Sequence, residues 1–141
     1  SMPGFDEGLF YVQDPAAKCA VLAAALEPGM NVLDSCAAPG GKSFAAAIAM
    51  RNEGSIDSCD LHDKKIRLIN EGARRLGLSC INAFSHDARA SFDRQYDAII
   101  ADVPCSGYGV IRKKPEIRYK PLEDSTSMPA IQAAMLENLS E

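Results

Sequence analysis

The sequence predicts an α/β domain built on an open, doubly wound, mostly parallel sheet. Three observations predict it. Short apolar strands alternate with helical stretches along the chain, the pattern of a parallel sheet crossed by helices. The first strand runs directly into a glycine turn and a helix, through Asp34-Ser-Cys-Ala-Ala-Pro-Gly-Gly-Lys42. Each strand closes at or near an aspartate: Asp34, Asp60, Asp87 and Asp102. Ligands of such sheets bind outside the carboxyl ends of the strands, so these carboxylates are expected to gather along one edge.

Residues 4–13, with Phe5, Phe10 and Tyr11, read as an extended entry segment or lid. Asp14-Pro15 opens a helix, with Asp as N-cap and Pro in the first helical position. That helix is expected to carry Cys19, Val21, Leu22 and Leu26 and to end at Pro28-Gly29. The first strand is 31–34. The helix after the glycine turn runs to about Arg51, stopped by Gly54. The second strand is 55–60 and the third 80–84. Between them a helix over 63–76 places Ile66, Ile69, Ala73 and Leu76 at helical spacing. Gly77 caps it, and Lys64, Lys65, Arg67, Arg74 and Arg75 form a solvated face. The fourth strand is 96–102, with 98–101 as a fully buried run. A long loop over 103–122 leads to a last helix, opened by Glu123 or Ser127, with Ile131, Met135 and Leu139 as its stripe.

Composition bounds the function. With 141 residues, 47% hydrophobic and 24% charged, the chain suits one domain with a real core. Its net charge of −4 excludes a surface that is basic throughout, so a nucleic-acid footprint must be local. The five cysteines, Cys19, Cys36, Cys59, Cys80 and Cys105, form no C-x-x-C pair and no zinc spacing with the two histidines. No metal site is expected, and scattered free thiols point to a reducing compartment, hence the cytoplasm. No apolar run is long enough to span a bilayer, so no membrane partner is expected. Ser1-Met2 reads as a tag remnant followed by a start Met.

The glycine-rich stretch carries the strongest chemical signal. Gly40 and Gly41 let backbone approach a ligand, and the helix start offers free N–H groups and a positive dipole end. Gly41-Lys42-Ser43 matches the end of the phosphate-binding pattern G-x-x-x-x-G-K-[ST], but Cys36 stands where the first glycine belongs. Asp34, just before the loop, would repel a triphosphate and could hold an ammonium. A ligand with a carboxylate, an amine and a ribose fits better, which points to S-adenosylmethionine. Asp60 lies about 20 residues beyond the loop, where an acid grips a ribose in this class of sheet. Asp87 can accept from the exocyclic amine of an adenine. The binding set is therefore Cys36, Ala37, Ala38, Pro39, Gly40, Gly41, Lys42, Asp60, Asp87 and Asp102.

A second constellation, Asp102-Val-Pro-Cys-Ser-Gly107, follows the fourth strand. Carbon 5 of cytosine is a poor nucleophile. A thiolate that adds to carbon 6 turns the ring into an enamine able to attack a sulfonium methyl group. The carbon 5 proton then leaves and the thiol is expelled. Such chemistry needs an activated Cys and a group holding the Watson–Crick edge of the base. Cys105 and Asp102 suit these roles, and from chemistry alone Cys105 would be the nucleophile. Arg112, Lys113, Lys114, Arg118 and Lys120 are the densest basic run outside the third helix and are expected to meet RNA.

In these motifs the chain resembles the Sun (Fmu) family of RNA cytosine-5 methyltransferases, in its bacterial small-subunit ribosomal RNA branch. Gln13-Asp14-Pro15, the stretch 109–115 continuing to Arg118, and Gln132 share the resemblance. It implies a Rossmann-like methyltransferase fold, S-adenosylmethionine as cofactor and RNA as partner. It also implies that Cys105 assists product release, while the attacking thiolate belongs to a Thr-Cys motif after the next strand. On that basis residues 3–141 are expected to be part of a catalytic domain without its C-terminal strands. The piece is expected to be inactive alone, and to self-associate through strand four or the final helix. A non-catalytic cofactor- or partner-binding module and a nucleoside-triphosphate domain are the competing readings.

Overall fold

The computed structural model describes residues 2–121 and 126–140. Among these, β1 (Asn31–Asp34), β2 (Ser55–Asp60), β3 (Ile81–Ser85) and β4 (Ala98–Ile100) form one parallel sheet in the order β3-β2-β1-β4. β1 takes a central place because it is apolar on both faces: Val32 and Leu33 are each fully buried. Its register sets Val32 beside Ile56 of β2 on one side and Ala98 of β4 on the other. The strand order reverses between β1 and β4. The crevice above that switch point is where a ligand of such a sheet is expected.

Side chains alternate between the faces of a strand. Val32 and Ile56 meet Val21 of α1 (Pro15–Ala23) and the small residues Ala45, Ala46 and Ala47 of α2 (Gly41–Ala49). On the same face Ile66, Ile69 and Ala73 of α3 (Asp63–Leu76) pack on Phe44 and Ala83. Leu33 points the other way and lines a cavity of about 850 Å³ with Phe92, Tyr96 and Leu139 of α4 (Met128–Leu139). Helices thus flank both faces, as the sequence predicts.

Several boundaries fall where local signals put them. β1, β2 and α3 have the expected ends, and Gly77 closes α3 in the left-handed region at φ 68°. Asp14 caps α1, its Oδ1 accepting from Ala16 N at 2.9 Å. Others differ. α1 stops at Ala23, with Ala25 at φ 48°. Leu26 is buried from the loop that follows, while Cys19 and Leu22 face outward. β3 is shifted by one residue, to 81–85.

Residues 4–9 are not extended: turns at Gly4 and Gly8 fold them onto the end of α3. Arg75 holds them, its Nη1 donating to Phe10 O at 2.9 Å and its guanidinium lying 3.9 Å from the Phe5 ring centre. Arg75 is therefore half-buried, unlike the exposed Lys64, Lys65, Arg67 and Arg74 of the same helix.

β4 keeps three residues of the predicted seven, and its buried run is not buried: Ile99 is 40% exposed. Among the described residues β4 is an edge strand, with a neighbour on one side only. The long loop contains two 3-10 turns, Tyr108–Val110 and Pro115–Tyr119. Of the two expected helix openers, Ser127 is the N-cap of α4, and Glu123 lies outside the described residues. Met135 alone of its stripe is buried. No helix among the described residues is long and apolar enough to cross a membrane.

Candidate functional site

The glycine-rich loop is stitched across three strands. Ser35 N donates to Ile100 O of β4 at 3.0 Å, and Ala37 N donates to Cys59 O of β2 at 2.8 Å. Residues 35–40 therefore sit over the carboxyl ends of β4, β1 and β2. Gly40, at φ 111°, lies so close to the Phe44 ring that a Cβ would be 2.5 Å from it. The turn needs glycine on both counts. Gly41 opens α2 beneath the Gln13 amide, whose Nε2 would be 3.5 Å from a Cβ.

Asp34 is fully buried. Its Oδ2 accepts from Ser43 Oγ at 2.7 Å, and Ser43 Oγ accepts from Ser58 Oγ at 2.8 Å. Burial pushes its carboxyl up to about 6, against the opposing hydrogen bond from Ser43 and the charge of Lys42. Ser43 and Ser58 did not stand out in the sequence, because a serine in a helix or strand signals nothing by itself.

The other strand-end aspartates each have a cation. The Lys42 ammonium pairs with the Asp102 carboxylate, joining the loop after β1 to the segment after β4 across the switch point. Asp60, 8% exposed, lies 3.2 Å from Lys65 Nζ and accepts from His62 N at 3.2 Å. Asp87 takes Arg89 in a fork, with Nη2 to Oδ2 at 2.6 Å and Nε to Oδ1 at 3.0 Å. Hydrogen bonding from that guanidinium draws its carboxyl down to about 2. Asp34 makes no ion pair among the described residues.

Cys36 is half-buried on the glycine-rich loop. Burial pushes its thiol up, and the charges of Asp60, Asp34 and Asp102 push it the same way. Ala37 is buried beside it, Ala38 is half-buried and Pro39 is exposed. Asp87, at the end of β3, is taken up by Arg89 of its own turn.

Cys105 is exposed on the segment after β4. The preceding carbonyl, Pro104 O, accepts from Gln132 Nε2 of α4 at 2.8 Å. Arg112, Lys113, Lys114, Arg118 and Lys120 are all exposed. Lys113 is tied back to Asp14, the cap of α1, at 3.0 Å.

Sequence reasoning missed a buried carboxylate. Asp57 of β2 is 4% exposed; it accepts from Asn82 Nδ2 at 3.0 Å and Tyr96 OH at 2.9 Å, with Arg94 at 3.6 Å. It lies within the strand rather than at the ligand edge, and pins the segment before β4 to the sheet. The 850 Å³ cavity also lies away from the loop, beside Ile99 and the end of α4. No group of three His, Cys, Asp or Glu side chains among the described residues could hold a metal ion.

Known proteins resemble the chain in sequence and in fold. The profile of the 16S rRNA methyltransferase RsmB/F family matches residues 21–141. The probable ribosomal RNA small subunit methyltransferase B of Bacillus subtilis is 44% identical over 143 residues, covering 96% of this chain and 32% of that protein. Ribosomal RNA small subunit methyltransferase B of Pseudomonas syringae pv. tomato is 35% identical, covering 99% and 32%. The crystal structure of NSun6 from Pyrococcus horikoshii with SFG superposes with a TM-score of 0.89 at 25% identity, covering 99% of this chain and 36% of that one. The chain spans about a third of the length of these curated relatives.

Proposed function

The chain belongs to the RsmB/F family of 16S rRNA methyltransferases, and from that premise we propose that it carries the S-adenosylmethionine site of an enzyme that methylates carbon 5 of cytosine in small-subunit ribosomal RNA. The family is S-adenosylmethionine-dependent. When bound, the cofactor supplies a sulfonium methyl group.

This chain's residues suit such a ligand. Loop 36–42 takes the amino-acid end, where Gly40 and Gly41 keep the backbone open. Asp60 accepts from the ribose hydroxyls, and Asp87 faces the exocyclic amine of the adenine. Asp102, paired with Lys42, would hold the Watson–Crick edge of the target base. Cys105, three residues further on, is assigned by the family's division of labour to product release. Arg112, Lys114, Arg118 and Lys120 meet RNA phosphates, while Lys113 first secures the loop to α1.

The reading is carried by the glycine turn stitched over the carboxyl ends of β4, β1 and β2 at the switch point, with Asp34 fully buried beneath it. A carboxylate buried under the turn opposes a triphosphate and suits a ligand with hydroxyls and a cationic amine. Titration calorimetry decides between them. The chain is expected to bind S-adenosylhomocysteine and not ATP with magnesium. Binding of ATP alone overturns the assignment.

A further inference from the structure

Cys105 sits on a stretch with little backbone support. Residues 101–106 fall in no helix, strand or turn. Among the described residues, the backbone of 102–106 makes one hydrogen bond to the rest of the fold: Pro104 O accepts from Gln132 Nε2 of α4 at 2.8 Å. Pro104 has no N–H to donate, so its carbonyl is the handle it offers. A peptide unit is planar. Holding Pro104 O therefore fixes the plane that also contains Cys105 N and Cα. On the near side Lys42 pairs with Asp102. On the far side Gly107, at φ 80°, turns the chain into the 3-10 turn at Tyr108.

α4 uses a second amide in the same way. Asn138 Nδ2 donates to Ala88 O and to Ala90 O, each at 2.9 Å. Those carbonyls flank Arg89, whose guanidinium forks Asp87. Met135, midway between the two amides, is the side chain that α4 buries. Gln132 and Asn138 stand about 9 Å apart along the helix axis. A helix whose sole task was to cover the sheet would need Met135 and its apolar neighbours. It would not need two amides aimed at the segments that follow β3 and β4.

Resting on the cytosine-5 reading above, we propose that Gln132 is a positioning residue for Cys105: by holding the Pro104–Cys105 peptide it sets where the Cys105 sulfur stands against the target base. The step it serves is release. Cys105, as a thiolate, takes the carbon 5 proton. The C–H bonding pair closes the double bond between carbons 5 and 6, and the attacking thiolate on carbon 6 is expelled. Proton transfer needs the acceptor within hydrogen-bond reach, and a displacement of about 1 Å can cost about a hundredfold in rate. A cysteine on an untethered segment does not hold such a position. Asn138 holds the Asp87 turn to the same helix, so the adenine end of the cofactor and the Cys105 sulfur share one frame.

The test uses the whole protein with small-subunit ribosomal RNA and S-adenosylmethionine. Gln132→Met keeps the side-chain length and removes the donor; Gln132→Lys keeps a donor of sufficient reach. Gln132→Met should lower turnover about tenfold or more and leave S-adenosylhomocysteine affinity unchanged. It should also accumulate a protein–RNA adduct that survives a denaturing gel, because attack proceeds and release does not. Gln132→Lys should recover most of the turnover and form little adduct. A helix that only supports the fold gives the opposite sign, since lost structure lowers adduct and turnover together. Asn138→Ala loosens the same helix at its other end; it should weaken S-adenosylhomocysteine binding and build up no adduct.

Wild-type levels of adduct in Gln132→Met would overturn the proposal. So would equal adduct in Asn138→Ala, or a Gln132→Lys no better than Gln132→Met. A wild-type protein that does not methylate carbon 5 of cytosine overturns the reading beneath the proposal. Wild-type methylation there with an indifferent Gln132→Met overturns the role of Gln132 alone.

Discussion

Gly40 and Asp60 show how differently single residues serve the ligand edge. Gly40 is fixed by the backbone: a side chain there meets the Phe44 ring and must hold φ at 111°. Gly40→Ala should cost about 2 kcal/mol or more, read as a lower urea midpoint, and should abolish cofactor binding with it. Asp60 is fixed by what it accepts. Its partner Lys65 is half exposed, so removing the carboxylate strands no buried charge. Asp60→Ala should therefore fold normally and bind S-adenosylhomocysteine roughly tenfold more weakly or worse, since a hydrogen bond to a charged group is worth about 1.5–3 kcal/mol. Unchanged affinity would remove Asp60 from the ribose.

At the scale of elements, Phe44 is the wedge that seats α2 against α3. Its ring meets Tyr11 edge-on at 5.9 Å and lies against glycine on two sides. A Cβ at Gly72, inside α3, would stand 2.3 Å from its Cζ. In an open helix Gly→Ala stabilises by about 1 kcal/mol. Here Gly72→Ala should destabilise by about 1–3 kcal/mol, because α3 must be pushed off the ring. Adding Phe44→Leu should give a double variant more stable than the two single losses predict. A stabilised Gly72→Ala would show that the helices have slack at this contact. The same contact explains a glycine that the periodicity of α3 leaves unexplained.

For the molecule as a whole, two surfaces matter. The exposed cations Arg112, Lys114, Arg118 and Lys120 stand together on a chain of net charge −4. Phosphate contacts through them would make RNA binding fall steeply with salt. In the whole protein, neutralising all four should flatten the slope of log affinity against log salt by about 3–4. RNA binding indifferent to their removal would place the footprint elsewhere. The second surface is the side of β4 that has no neighbouring strand among the described residues. An edge strand with unpaired backbone groups invites another chain, and Ile99 there is 40% exposed. The 141-residue chain is expected to self-associate in sedimentation at high concentration, and Ile99→Lys should shift it toward monomer. A clean wild-type monomer would count against the edge argument.

The sequence by itself determined the order of elements, the ends of β1, β2 and α3, and the grouping of the Asp34, Asp60 and Asp102 carboxylates at one edge. These rest on signals between near neighbours: the cap at Asp14, the stop at Gly77, the helical spacing of Ile66 and Ile69, the glycine turn after Asp34. The tertiary structure decided what each charged group does. Lys42 meets Asp102 across 60 positions, Arg75 reaches Phe10 across 65, and Tyr96 finds Asp57 across 39. Such pairings depend on strand order and on which face a side chain leaves by. The chain neighbours of Arg75 mark it as one more solvated cation, and those of Asp57 mark nothing. The same holds for the apolar run 98–101. Its composition is that of a buried strand, but how deeply Ile99 is buried depends on what stands beside β4, and no local pattern states that. Asp34 lies between the two cases: its place at the end of β1 was legible, while its burial and its serine partners are properties of the folded edge.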